Sequence, residues 1–173
     1  DIIDVYAQGL RRPTLNLLSV FRATLPENYI IGTNTVRVGD KDLPVLIARD
    51  EHLNNDTFHV DRFQALTSAI GTVFVKSGDD FFRISTSLTS AKNERAIGTP
   101  LGKESPAYAA LLRGESFVGQ VTLFGKSYMS AYEPIRDDKQ EIVGALFVGM
   151  DFDKEMTALK QKIRSIKIGE TGY

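Results

Sequence analysis

The sequence predicts an α+β domain, in which antiparallel strand pairs are interleaved with helices. Two observations carry this reading. Apolar residues recur at three and four near both ends, whereas the middle carries short β-rich runs separated by turn formers. Runs of this length, joined by short polar turns, pair antiparallel and lay helices against a sheet.

Residues 1–25 place Ile2, Ile3, Val5, Tyr6, Leu10, Leu15, Leu17, Leu18, Phe21 and Leu25 at largely helical spacing. Pro13 is expected to break or kink this first helix, and Pro26 to mark its end. The helix has more apolar positions than one stripe needs, so pairing with a second copy competes with packing on the domain's own sheet. Thr35 to Val38 and Leu43 to Ile47 read as a hairpin around Gly39-Asp40, with Pro44 assigning the second strand to an edge. Residues 49–59 are polar and loop-like and contain both histidines, His52 and His59. Asp61 is a candidate N-cap for a helix from Arg62 to Ala69.

Gly71 to Lys76 and Phe81 to Leu88 form a strand pair about the turn Ser77 to Asp80. Alternation sets Arg83, Ser85 and Ser87 against Phe82, Ile84 and Thr86. A polar loop over 89–105 leads to a helix begun by Ser105-Pro106 and ended by Gly114. Leu123 to Tyr132 also alternates, with Phe124, Lys126, Tyr128, Ser130 and Tyr132 on one face. After the turn 136–140, Ile142 to Val148 is nearly all apolar, as a strand covered on both faces should be. Asp151 to Ile166 is a closing amphipathic helix, with Met156, Leu159, Ile163 and Ile166 at three and four. Lys167 to Tyr173 echoes Ser68 to Val73 weakly, as the opening strand of a following module would.

A chain of 173 residues suits one domain, and 42% hydrophobic with 25% charged residues is the balance of a globular protein. A net charge of −1 leaves no footprint for nucleic acid or an acidic membrane. No apolar run reaches the roughly 18 residues of a membrane span. With no cysteine there is no disulfide, thiol nucleophile or zinc–thiolate site. The ends at Asp1 and Tyr173 suit a piece excised from a longer chain.

Catalytic signatures are missing. The histidines lie seven apart, without helical spacing or a third ligand, so no metal site is expected. Gly125-Lys126-Ser127 lacks the upstream glycine of a phosphate loop and sits in a strand. Asp79-Asp80 and Asp137-Asp138 occupy turns. The chain is therefore expected to be no enzyme and to carry no cofactor.

What remains is a set of donors on two strand pairs: Arg83 and Ser85 on one, Lys126, Tyr128, Ser130 and Tyr132 on the other. An Arg fork holds a carboxylate through two parallel bonds, lysine adds a point charge, and tyrosine adds a neutral donor. With no acid on these faces, the set points to a small anion. An edge strand with an ordinary solvated face would give the same alternation, and spacing alone does not separate the two.

The run FFRISTSL, followed by the stretch from Arg95 to Asp151 with its Pro134-Ile135 strand end and paired Val143-Gly144 and Val148-Gly149, is recognisable. It resembles the Cache-type sensor domains of bacterial chemoreceptors, closest to the class in which Cache 3 and Cache 2 segments are fused. It also resembles the periplasmic domains of citrate and dicarboxylate sensor kinases. The resemblance implies a PAS-like single Cache module: a long N-terminal helix, an antiparallel sheet of about five or six strands and a C-terminal helix. It divides the chain into a helix over 1–30, a ligand-binding domain over 31–166 and the start of a following segment over 167–173. It further implies a periplasmic domain of a membrane-anchored, dimeric receptor that binds a small organic anion, a short carboxylate, and signals through its terminal helices. Sensor kinases and diguanylate cyclases carry such domains too, and a ligand-free dimerisation or adaptor role stands as the alternative. In citrate sensors, cations on the strand before Pro-Ile hold the carboxylates. The same register here falls on Ser130 and Tyr132, which favours a smaller or less charged ligand.

Overall fold

A computed structural model of the chain describes residues 1–171, and the side chains of residues 1–166. The elements run α1 (Ile2–Gly9), α2 (Arg11–Thr24), β1 (Tyr29–Val38), β2 (Lys41–Ala48), β3 (Glu51–His52), α3 (Phe58–Thr67), β4 (Ile70–Ser77), β5 (Asp80–Thr86), α4 (Tyr108–Leu112), β6 (Phe117–Leu123), β7 (Lys126–Arg136), β8 (Ile142–Asp151) and α5 (Phe152–Thr171). A five-stranded antiparallel sheet in the order β5-β4-β8-β7-β6 is the centre of this α+β, PAS-like fold. A smaller sheet, β1-β2-β3, packs beside it.

The nearly all-apolar β8 takes the middle position because only there are both faces covered. One face carries Val73, Val75, Ala131, Ile135, Leu146 and Val148. It is closed by Leu18 and Phe21 of α2, Val60 and Phe63 of α3, and Leu43 and Leu46 of β2. The opposite face carries Phe74, Tyr128, Tyr132, Ala145 and Phe147. A segment from 88 to 111 covers it with Leu88, Ala96, Leu101, Ala107 and Leu111.

That segment reaches the face by first extending the sheet. Among the described residues no further strand lies beyond β5, and residues 96–101 satisfy its free edge: Arg83 N donates to Thr99 O at 2.9 Å, Gly98 N to Arg83 O at 2.7 Å and Leu101 N to Phe81 O at 2.8 Å. The polar loop expected over 89–105 is thus a tethered lid.

The first helix breaks at Leu10, three residues before Pro13. Pro13 is the third residue of α2, where its missing amide is one the helix start leaves unpaired in any case. Helix α3 begins earlier than expected: Thr57 is its cap and Asp61 lies in its first turn.

Two corrections bear on the site. The run Leu123 to Tyr132 is not one strand. Phe124 and Gly125, at φ of 50° and 80°, make a two-residue hairpin turn, so Leu123 ends β6 and Lys126 opens β7. The expected hairpin of β7 with β8 is present, pairing Tyr132 with Phe147. In β5, Ser85 pairs with Val73 but Arg83 pairs with Phe74, so Ile84 is an extra residue, a bulge. The bulge turns Ser85 to the helix side of the sheet while Arg83 stays under the lid.

Residues 167–171 continue α5 as helix rather than opening a strand, and residues 172 and 173 lie outside the described residues.

Candidate ligand-binding site

The strand registers arrange the lid-side face of the sheet in rows. Arg83, Phe74, Ala145 and Pro134 form one row, and Thr86, Thr72, Phe147, Tyr132 and Phe117 the next. Below them Ile70, Gly149, Ser130 and Gly119 make a row of small side chains, and Asp151, Tyr128 and Val121 follow. The low row gives the large rings somewhere to lie. A Cβ on Gly149 would stand 2.7 Å from Phe147 Cζ, and one on Gly119 would stand 2.8 Å from Phe117 Cζ. The Val148-Gly149 pair therefore lets an aromatic ring fold down the sheet.

Arg83 is buried, with 3% exposure, and its guanidinium lies over the Phe74 ring at 5.1 Å. Its Nη1 donates to Thr99 Oγ1 at 3.0 Å and to the Pro100 carbonyl at 2.9 Å. Nε has no partner, and among the described residues no carboxylate forms an ion pair with this cation. Asp80 acts on it electrostatically, but Asp80 Oδ1 accepts from Phe81 N and Gly102 N. Desolvation lowers the Arg83 pKa, opposed by the fields of Tyr132 and Asp80.

Tyr132 is fully buried among three rings, with centroids 4.9 Å from Phe147, 6.1 Å from Phe117 and 6.4 Å from Phe74. Its hydroxyl has no partner among the described residues. Burial pushes its pKa up to about 12, with Arg83 pulling the other way. Two buried polar atoms beneath the same lid, Arg83 Nε and the Tyr132 hydroxyl, thus lack partners among the described residues, which is unusual for buried atoms.

The other expected site residues divide. Ser130 Oγ donates to Gly119 O at 2.6 Å, bracing β7 against β6. Ser85 Oγ donates to Asp56 O at 2.6 Å on the helix side, away from Arg83. Tyr128 lies two rows below Tyr132 and Lys126 three, at a cavity of about 550 Å³ between the sheet end, α3, the lid and α5. The Tyr128 pKa is raised by burial and by Asp151.

Asp61 and Asp151 also line that cavity, so the expectation of donors without acids fails at this end of the face. Asp61 is held by Arg95 through two bonds of 2.7 Å. Thr99, Arg95 and Lys154, which sequence alternation did not single out, enter the site from the lid and from α5. Only the fold brings them to the strands, although the polar, glycine-bounded lid was visible as a loop. Among the described residues no cluster of three metal-ligating side chains occurs.

One solved structure similar to this chain is the sensor domain of DcuS from E. coli, with a TM-score of 0.43 and 16% identity over 58% of this chain and 69% of that one. No curated protein matches the chain. The family model of the Cache 3/Cache 2 fusion domain matches residues 1–173. The chain therefore belongs to the Cache 3/Cache 2 fusion domain family.

Proposed function

We propose that this chain is the extracytoplasmic ligand-sensing domain of a membrane-anchored receptor, and that it takes a short organic carboxylate beneath the lid, against Arg83. The observation that carries the reading is the pair of buried, unpartnered donors, Arg83 Nε and the Tyr132 hydroxyl. A desolvated guanidinium without a counter-ion is costly, and a carboxylate supplies both the charge and the second hydrogen bond. Tyr132 adds a neutral donor, and the Phe74, Phe117 and Phe147 rings provide the apolar wall that small ligands usually meet. Family membership supports the sensing role, since Cache domains are extracytoplasmic sensor domains without catalytic activity. Lys126, Tyr128 and Ser130 remain part of the proposed face as its outer rim and floor, and Ser85 leaves it.

Signal output follows from the same contacts. The Thr99 hydroxyl and Pro100 carbonyl hold the guanidinium in the free domain, and a carboxylate competes for it, shifting the lid by its differential affinity for the two arrangements. The receptor carrying this domain is a chemoreceptor in this reading, with a sensor kinase or cyclase as the other outputs. Pairing of two copies along α1 has its own support in the exposure of Ile2, Ile3 and Val5. Calorimetric titration with acetate, lactate and succinate tests the ligand class. Arg83→Ala should weaken the binding found by at least tenfold, since a charge-assisted bond contributes roughly 1.5–3 kcal/mol. Equal affinity in the variant, or no binding of any of the three, would refute the reading.

A further inference from the structure

The 550 Å³ cavity at the root of α5 contains neither Arg83 nor Tyr132. Its charges do not cancel. Arg95 and Asp61 neutralise each other, and Asp151 Oδ1 accepts from Lys154 N at 3.1 Å, the backbone cap of α5. Against Asp151 stand two ammonium groups, Lys126 and Lys154, with no ion pair or hydrogen bond among the described residues. The wall also holds Tyr128, only 7% exposed, whose hydroxyl has no partner among the described residues. The side chains of Gln64 and Asn93 likewise make no internal hydrogen bond there and offer both donors and acceptors.

We infer that this cavity is a second recognition site, for a small hydroxylated organic anion of the sugar-acid class. The volume lies within the roughly 300–1,000 Å³ of small-molecule sites. Those sites are mostly apolar, and this one is not. A purely hydrocarbon acid would engage none of the donors and acceptors of Gln64, Asn93 and Tyr128, whereas hydroxyl groups on the ligand pair with them. The two lysines, one from β7 and one from α5, supply the charge for its carboxylate.

The position gives such a ligand a particular reach. Asn93 belongs to the lid, Lys126 and Tyr128 to the sheet, and Lys154 to the first turn of α5. Phe152 and Met156 anchor that turn in a small cluster with Leu10 and Met129. Further along, α5 is largely free of the domain, with Ile163 and Ile166 exposed by 38% and 54%. A molecule bridging lid, sheet and helix start therefore ties α5 to the sheet where few other contacts do. This site shares Lys126 and Tyr128 with the rim of the carboxylate face but holds neither Arg83 nor Tyr132, and Asn93 and Lys154 belong to it alone.

The test uses the whole chain with D-gluconate and D-galacturonate as probes and acetate as the control. Binding is followed by calorimetry and by amide chemical shifts. At least one sugar acid should bind, with shifts centred on Asn93, Lys126, Tyr128, Gly149 and Lys154, and acetate should leave Asn93 and Lys154 unperturbed. Both lysines are exposed, so the double variant Lys126→Met/Lys154→Met should unfold at the parent's temperature while losing at least tenfold in affinity. Absence of binding by both probes, undiminished binding in the lysine variant, or shifts centred on Arg83 and Tyr132 would overturn the inference.

Discussion

Arg83 Nη1 lies 2.9 Å from the Pro100 carbonyl, so a strand side chain pins the lid that covers it. The backbone ties at this point are the bond from Arg83 N to Thr99 O and, from the lid's own amides, those from Gly98 N and Leu101 N to β5. Removing the side chain in Arg83→Ala should raise hydrogen exchange at those two amides about tenfold or more, with smaller changes in β8. The side chain's two bonds come from a charged donor and contribute roughly 1.5–3 kcal/mol each, more than enough for that factor. Unchanged exchange would mean that lid closure rests on apolar packing alone.

Tyr132→Phe separates stability from binding. The hydroxyl is buried without a partner, and such a group costs about 1–3 kcal/mol. Deleting it should stabilise the free domain by about 1 kcal/mol in urea unfolding and weaken carboxylate binding. A variant less stable than the parent would show that the hydroxyl is satisfied in the free domain.

Ser85→Ala is the complementary control. The Ser85 hydroxyl ties β5 to the Asp56 carbonyl on the helix side of the sheet. The change should cost about 1 kcal/mol of stability and leave ligand affinity alone. Reduced affinity at undiminished stability would mean that the bulge does not divide the two residues as described.

The glycines of β8 should differ in cost. A Cβ on Gly144 would run into the Phe74 carbonyl, which is backbone and cannot turn aside, whereas one on Gly149 meets the tip of the Phe147 ring. Gly149→Ala should cost about 1–3 kcal/mol by overpacking, and Gly144→Ala should cost more. Urea midpoints of the two variants give the comparison.

The Arg95–Asp61 fork gives a small acid dependence. Hydrogen bonding to Arg95 holds the Asp61 pKa below its usual value, outweighing the burial that raises it. A carboxylate depressed in the folded state stabilises above its unfolded pKa of about 3.9, and that contribution disappears as pH falls through the folded value. Both side chains are more than a third exposed, so the contribution is at most about 1 kcal/mol and shrinks in salt. Asp61→Asn should flatten stability below about pH 4 relative to the parent by no more than that. A larger difference would point to a second coupled carboxylate.

The sequence by itself determined the element types and most of their order. Strand runs such as Ile142 to Val148, the Gly39-Asp40 turn and the spacing of Met156 and Leu159 depend on local periodicity and turn chemistry, which lie within a few residues of one another. The Cache family was legible for the same reason, in FFRISTSL and the paired Val-Gly steps. The candidate site was legible only in part. Arg83 and Tyr132 share a covered face as alternation required, but alternation fails wherever one residue is inserted, and Ile84 does that to Ser85. The turn at Phe124-Gly125 was obscured because phenylalanine seldom takes a positive φ, so the run looked like one strand. The lack of a partner for the Arg83 and Tyr132 donors was invisible, since it depends on the lid laid down from residues far along the chain. So did the meeting of Lys126, Asn93 and Lys154, which sequence separates widely. Local sequence chooses strands and helices; the register between β4, β5, β7 and β8, fixed only when the core packs, decides which side chains face one ligand.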